Sequence, residues 1–165
     1  MRNLLLVVLT ALFVGFGLNY ANACGDKTMR VKTGLRFWQT QASRRPSTIM
    51  IHSAALPSGK AVELRDFLNK VGHKATSMDD VGSIENRLRT SHYDLVLTNL
   101  ADAAELQKQV GSFTPTTVVV PVLFKPKAEE KTTAKQYKVI VNNPTDGIDF
   151  LIAVSRVMNS QSKKS

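Results

Sequence analysis

The chain predicts a three-layer, doubly wound α/β sandwich built on one five-stranded, mainly parallel sheet. Three observations lead there: short apolar, β-branched runs recur five times after residue 47, amphipathic segments stand between them, and no internal repeat is present. Strands that are apolar throughout belong to a sheet covered on both faces, and the intervening helices supply the cover.

Thr48 to His52 is the first such run, and Pro57-Ser58-Gly59 then opens a helix over Lys60 to Val71. Its Ala61, Val62, Leu64, Phe67, Leu68 and Val71 recur at three- and four-residue steps, and Gly72 is placed to end it in a left-handed conformation. His73 to Met78 reads as a second strand. Asp79 and Asp80 precede a helix with Val81, Ile84 and Leu88 on one face, where acids suit the positive N-terminal end. Asp94 to Leu100 is the third strand, Ala101 to Val110 a helix that Gly111 should end, and Thr116 to Leu123, after Pro115, the fourth strand. Lys125 to Lys135 has too few apolar residues to cover a sheet and reads as an exposed loop or stunted helix. Tyr137 to Val141 is the fifth strand. A last helix over Gly147 to Met158 presents Ile148, Leu151, Ile152, Val154, Val157 and Met158 on a broad apolar face, and a basic tail over residues 160–165 follows.

Ahead of this domain, taken as residues 48–159, stand two segments of different character. Residues 1–23 combine Arg2, an apolar run from Leu4 to Leu18 and the small-residue tail Ala21-Asn22-Ala23, the pattern of a secretory signal peptide. The run of 15 is shorter than the roughly 20 residues that a membrane-spanning helix needs. An exported, periplasmic or envelope-associated protein is therefore expected. Cys24, the single cysteine, follows at once and is a candidate lipidation residue and membrane tether; a free thiol and an intermolecular disulfide are the other readings. Residues 24–47 form a basic tether or extension, in which alternation across Leu35 to Phe37 suggests a short edge strand.

Without residues 1–23 the chain loses Arg2 and no acid, leaving 21 Lys and Arg against 13 Asp and Glu, a net charge of +8. That balance favours an envelope protein or an anionic surface as partner. Nucleic acid is not expected, since the aromatic residues do not interleave with the basic ones as a stacking platform requires.

Active sites of such sheets lie at the carboxyl ends of the strands, where His52, Ser53, Asn99, Asn142 and Asn143 stand. His52, His73 and His92 have no metal-ligand spacing, Ser58-Gly59-Lys60 lacks the leading glycine and the metal-binding hydroxyl of a phosphate loop, and no nucleophile elbow is present. No metal, cofactor or catalytic residue is expected.

The strand from Asp94 to Asn99, with the order of elements over residues 47–158, resembles a response-regulator receiver domain of the flavodoxin-like class. The resemblance implies a phosphorylated aspartate where this chain has Asn99, and an amide cannot form an acyl phosphate. It implies paired magnesium-holding acids where His52 and Ser53 stand, a switching hydroxyl at Val120, an aromatic switch residue at Ile140 and a Lys-Pro pair at Asn143-Pro144. Each matched position is substituted. The expectation is a non-catalytic pseudo-receiver domain that acts as a protein-interaction or signalling module at the bacterial envelope. The resemblance also implies an interaction surface around the fourth helix, fifth strand and fifth helix, where Lys125, Lys127, Lys131 and Lys135 fall. The alternative is a single-lobe periplasmic protein binding a small ligand at the polar end of the sheet.

Overall fold

Five strands, β1 (Thr48–His52), β2 (Lys74–Met78), β3 (Leu95–Asn99), β4 (Val118–Leu123) and β5 (Val141–Asn142), run parallel in one sheet of order β2-β1-β3-β4-β5. The computed structural model describes residues 34–162; the segment 1–23 expected to be a signal peptide, Cys24 and the last three residues of the expected basic tail lie outside the described residues. Among the described residues six α-helices accompany the strands: α1 (Leu35–Arg44), α2 (Lys60–Val71), α3 (Val81–Thr90), α4 (Leu100–Phe113), α5 (Ala128–Ala134) and α6 (Gly147–Ser162).

The chain steps from β1 outward to β2 and then back past β1 to β3, β4 and β5, and this reversal goes with α2 and α6 lying on one face of the sheet and α3 and α4 on the other. Side-chain alternation along the central strands completes the two layers. Ile49, Ile51, Leu95, Leu97, Val120 and Val122 pack toward α2 and α6, whereas Met50, Val96 and Val119 pack toward α3 and α4. Both faces of β1 and β3 are thus buried, which is why their sequences are apolar throughout. At the end of α2, Gly72 takes φ +115° and its N–H returns to the carbonyls of Leu68 and Asn69, the left-handed stop its position suggested.

Four local expectations are corrected. Residues Leu35 to Phe37 belong to α1, not to an edge strand: Trp38 and Ala42, four apart, bury one face of this helix in the core, and that helical period outweighs a three-residue alternation. Gly111 lies inside α4, its side-chain position open, and the helix stops instead at Thr114, where Pro115 disfavours the α conformation of the residue before it. β5 is only Val141–Asn142, because Lys135, Gln136 and Tyr137 continue the turn of α5 through N–H bonds to Thr132, Thr133 and Ala134. Finally, α6 runs on to Ser162, and Gln161 in its last turn donates to the Thr116 carbonyl at 2.8 Å. The lysine-rich segment does contain a stunted helix, the seven-residue α5.

At the amino end of the sheet, the Ser47 N–H donates to Nδ1 of His73 at 3.2 Å. Burial lowers the His73 pKa, and the Asp94 carboxylate opposes that shift in part. A histidine depressed below its ordinary 6.5 binds its proton more readily when unfolded, so its stabilising effect is complete above 6.5 and is lost as pH falls from there through the folded value. Urea midpoints measured across that range should fall for the wild type and fall less for His73→Gln; parallel curves would show that His73 does not carry the dependence.

Candidate functional site

The carboxyl end of β1 and β3 holds a polar network. By alternation, His52 and Thr98 both point to the α3 and α4 side of the sheet, and both are buried. Nδ1 of His52 lies 3.2 Å from Oγ1 of Thr98 and 3.3 Å from Oδ2 of Asp102. The Thr98 hydroxyl can donate or accept and the Asp102 carboxylate only accepts, so the ring is flanked at Nδ1 by two groups able to accept from it.

Asn99, last residue of β3, is the N-cap of α4. Its Oδ1 accepts the Asp102 N–H at 2.8 Å, and its Nδ2 donates to Oδ2 of Asp102 at 2.8 Å. Both ends of the amide are therefore engaged, and one carboxylate oxygen gathers Asn99 and His52. Asp102 itself sits in the first turn of α4, where the helix dipole favours its charge.

The remaining predicted positions separate. Ser53 Oγ donates to Oδ1 of Asp79 at 2.8 Å and joins the end of β1 to the turn before α3. Asp80 caps α3: hydrogen bonds from the Ser83 hydroxyl, at 2.6 Å, and from its N–H, at 2.8 Å, hold the Asp80 carboxyl below its ordinary value. That contribution is present above the ordinary 3.8 and is lost as pH falls through the lower folded value.

Val120 is not at the rim. It pairs with Leu97 inside the sheet, and Val122 is the residue opposite Asn99, because the strand begins at Val118 after a turn closed by the Thr117 N–H and the Thr114 carbonyl. Neither valine can bond a phosphoryl oxygen. Asn143, past the end of β5, takes φ +47°, as does Lys125 past the end of β4. The two are locked together: the Lys125 N–H donates to Oδ1 of Asn143 at 2.6 Å, and the Asn143 N–H to the Leu123 carbonyl at 2.8 Å. Asn142 is exposed, and Ile140 is half-buried.

This locked pair frames Phe124, which is 42% exposed. Phe124, Leu56, Pro57, Phe67 and Pro144 line an open cleft of about 350 Å³ at the rim, with Lys60 and Glu63 at its edge and paired to each other at 2.6 Å. A neighbouring hollow reaches Asn99. The four lysines form a separate region. Lys125, Lys127, Lys131 and Lys135 are all exposed along and before α5, and Lys127 donates its N–H to Glu130. Among the described residues no group of three His, Cys, Asp or Glu side chains could hold a metal ion.

Sequence reading missed Thr98 and Asp102. The available signals were a polar residue interrupting an otherwise apolar strand, and an acid three residues after Asn99, the spacing at which a first-turn residue meets its cap. Phe67 and Phe124 were also missed as cleft residues, since one reads as helix core and the other falls between the fourth strand and the lysine-rich segment.

No protein-family model and no curated protein matches the sequence. Solved structures do. The signal receiver domain of an HD domain-containing protein from Pseudomonas fluorescens Pf-5 superposes with a TM-score of 0.60 at 17% identity, covering 73% of this chain and 92% of that one. A response regulator receiver domain protein from Methanospirillum hungatei JF-1 gives 0.57 at 12% identity, over 73% and 98% of the two chains. A protein from Burkholderia pseudomallei K96243 described as pilus assembly-related gives 0.52 at 13%, over 70% and 90%. At these identities the likeness is one of fold, and it establishes the receiver-like α/β architecture that the order of elements predicted.

Proposed function

We propose that this chain is a non-catalytic receiver-like module, exported to the bacterial envelope, that works by contact with a protein partner. One observation carries the loss of phosphoryl chemistry. At the acceptor position the Asn99 amide is bound at both ends to Asp102, and where the magnesium-holding acids would stand, His52 is bound to Thr98 and Asp102. Neither a nucleophilic carboxylate nor an open acidic pair is offered. The envelope address rests on residues 1–23, and the pilus assembly-related neighbour accords with it.

The test is chemical. The wild type and Asn99→Asp, incubated with acetyl phosphate and magnesium, should both show no aspartyl phosphate by intact mass. Restoring the acceptor alone leaves the metal unheld, and it sets a second carboxylate against Asp102, so the variant should also be less stable than the wild type. An aspartyl phosphate on the wild type would overturn the proposal.

The partner surface is placed on the four lysines of the α5 region. Reversing Lys125, Lys127, Lys131 and Lys135 to glutamate should reduce retention of an envelope partner in affinity capture much more than Asn99→Ser, which keeps a capping side chain. Equal losses, or none from the lysines, would remove the region from consideration.

The rim cleft favours a second reading, a single-lobe binder of a small ligand, because about 350 Å³ lined by Leu56, Pro57, Phe67, Phe124 and Pro144 lies within the usual size of such sites. A ligand at one hundred times its dissociation constant would add about 2.7 kcal/mol to stability, which a thermal-shift screen detects.

A further inference from the structure

We propose that the outer face of α1, with Phe37, Arg44 and Arg45, is a contact surface for anionic lipid headgroups. These three side chains line one open hollow with Thr40, Gln41 and Asn159. Phe37 is 51% exposed, yet it is held in place, packed edge-on against Trp38 with ring centroids 5.3 Å apart. Trp38 in turn is part of the core, and Gln41 donates to Ser155 of α6 at 3.3 Å. An aromatic residue is thus presented to solvent from a rigid base, at little further cost in conformational entropy on binding.

Arg44 and Arg45 are exposed, and among the described residues neither takes part in an ion pair, in contrast to Lys60, Arg65 and Arg89, which pair with Glu63, Asp66 and Glu85. Their surroundings carry the same sign. In a parallel sheet the helices that follow the strands all end at the sheet's amino end, and Lys70, Lys74 and Arg87 are exposed there. The Asp94 carboxylate at this end is engaged with the Thr48 N–H, at 2.7 Å, and with His92. An exposed ring flanked by unpaired guanidinium groups matches a membrane surface: the ring enters the headgroup boundary, and the planar guanidinium groups bind phosphate oxygens.

Lipid is favoured over a protein partner by what precedes this helix in the chain. Lys27, Arg30 and Lys32 lead into it with Asp26 as the one acid, and Cys24, the candidate lipidation residue, is thirteen residues before Phe37. That length of chain reaches at most roughly 45 Å even when extended. A single acyl anchor holds a protein only marginally, and a basic patch is the kind of second signal that makes attachment stable. The inference rests on the envelope address proposed above, but its test does not.

The full chain is sedimented with vesicles of phosphatidylcholine alone and with vesicles that also contain phosphatidylglycerol. The ratio of the two partition coefficients is the readout, because the apolar leader contributes to both. The wild type should prefer the anionic vesicles. Arg44→Ala with Arg45→Ala should lower that preference about 30-fold, each basic residue near an anionic surface being worth about fivefold. Arg44→Lys with Arg45→Lys should keep it, and so should Lys127→Ala with Lys131→Ala. Phe37→Trp, made in a Trp38→Phe background so that one indole is present, should show a blue shift of its emission on anionic vesicles only. No preference in the wild type, an unchanged preference in the arginine-to-alanine variant, an equal loss in the Lys127 and Lys131 variant, or an unmoved Phe37→Trp emission would each overturn the proposal. A failure here leaves the acetyl phosphate result standing, so the two readings fall separately.

Discussion

Trp38→Ala should lower the free energy of unfolding by about 3 kcal/mol, the range for emptying a large aromatic site in a core. Trp38 is 9% exposed and, with Ala42, is what α1 contributes to the core layer that includes α2 and α6. The indole N–H is buried without an acceptor among the described residues, so the benefit of this side chain comes from its apolar area and not from a hydrogen bond. Trp38→Phe, which keeps most of the area and removes the unpaired donor, should therefore cost about 1 kcal/mol or less. Urea unfolding of the three proteins with unchanged slopes checks both figures. An alanine variant within 0.5 kcal/mol of the wild type would mean that α1 is an appendage and not part of the fold, a difference well below what core truncation costs. The result also bears on the lipid-facing surface, since Phe37 is held against the same ring.

Gly147→Ala sets two effects of opposite sign against each other. Gly147 begins α6 with no positive φ, so alanine would gain from helix propensity, by up to about 1 kcal/mol. An added Cβ, however, would stand 2.6 Å from Cδ1 and 2.9 Å from Cζ of Phe67, and closer still to Cε1. Overlap of that kind with a half-buried ring costs about 1–3 kcal/mol, so steric cost should win and the variant should be destabilised. Phe67→Leu should reverse the sign: in its background the same alanine becomes neutral or stabilising, and the double-mutant cycle should show a coupling above 1 kcal/mol, typical of residues in direct contact. Additive effects would show that the ring moves away freely. Phe67 lines the rim cleft, so displacing its ring should also abolish any thermal-shift response that a small ligand produces in the wild type.

Much of the architecture was legible because its cause is local. β1 and β3 are buried on both faces, so Ile49 to Ile51 and Leu95 to Leu97 had to be apolar without interruption. The end of α2 was legible at Gly72, because a left-handed stop favours the one residue without a Cβ. α1 was not. Its two core residues are too few to outweigh the charges around them until α2 and α6 are in place to receive them. β5 was placed too early because residues 135–137 continue the turn of α5, so the chain pairs with β4 only at Val122 and Leu123.

By itself the sequence determined the order of strands and helices from β1 onward, and it determined that an amide and not a carboxylate stands at position 99 at the end of β3, which is a matter of residue identity. That asparagine at position 99 suits a helix cap is also a local property, and only the tertiary structure decided what gathers around it. Its engagement with Asp102 follows from cap geometry, but the approach of His52 to that same carboxylate and to Thr98, 46 residues away, depends on β1 and β3 pairing in the register that sets Met50 opposite Val96. The same dependence moved Val120 from the rim to the interior, since the pairing of β3 with β4 sets Val122 and not Val120 beside Asn99. Register is a property of two distant segments together. A shift by one residue would turn each side chain to the opposite face, and local pattern alone cannot supply that choice.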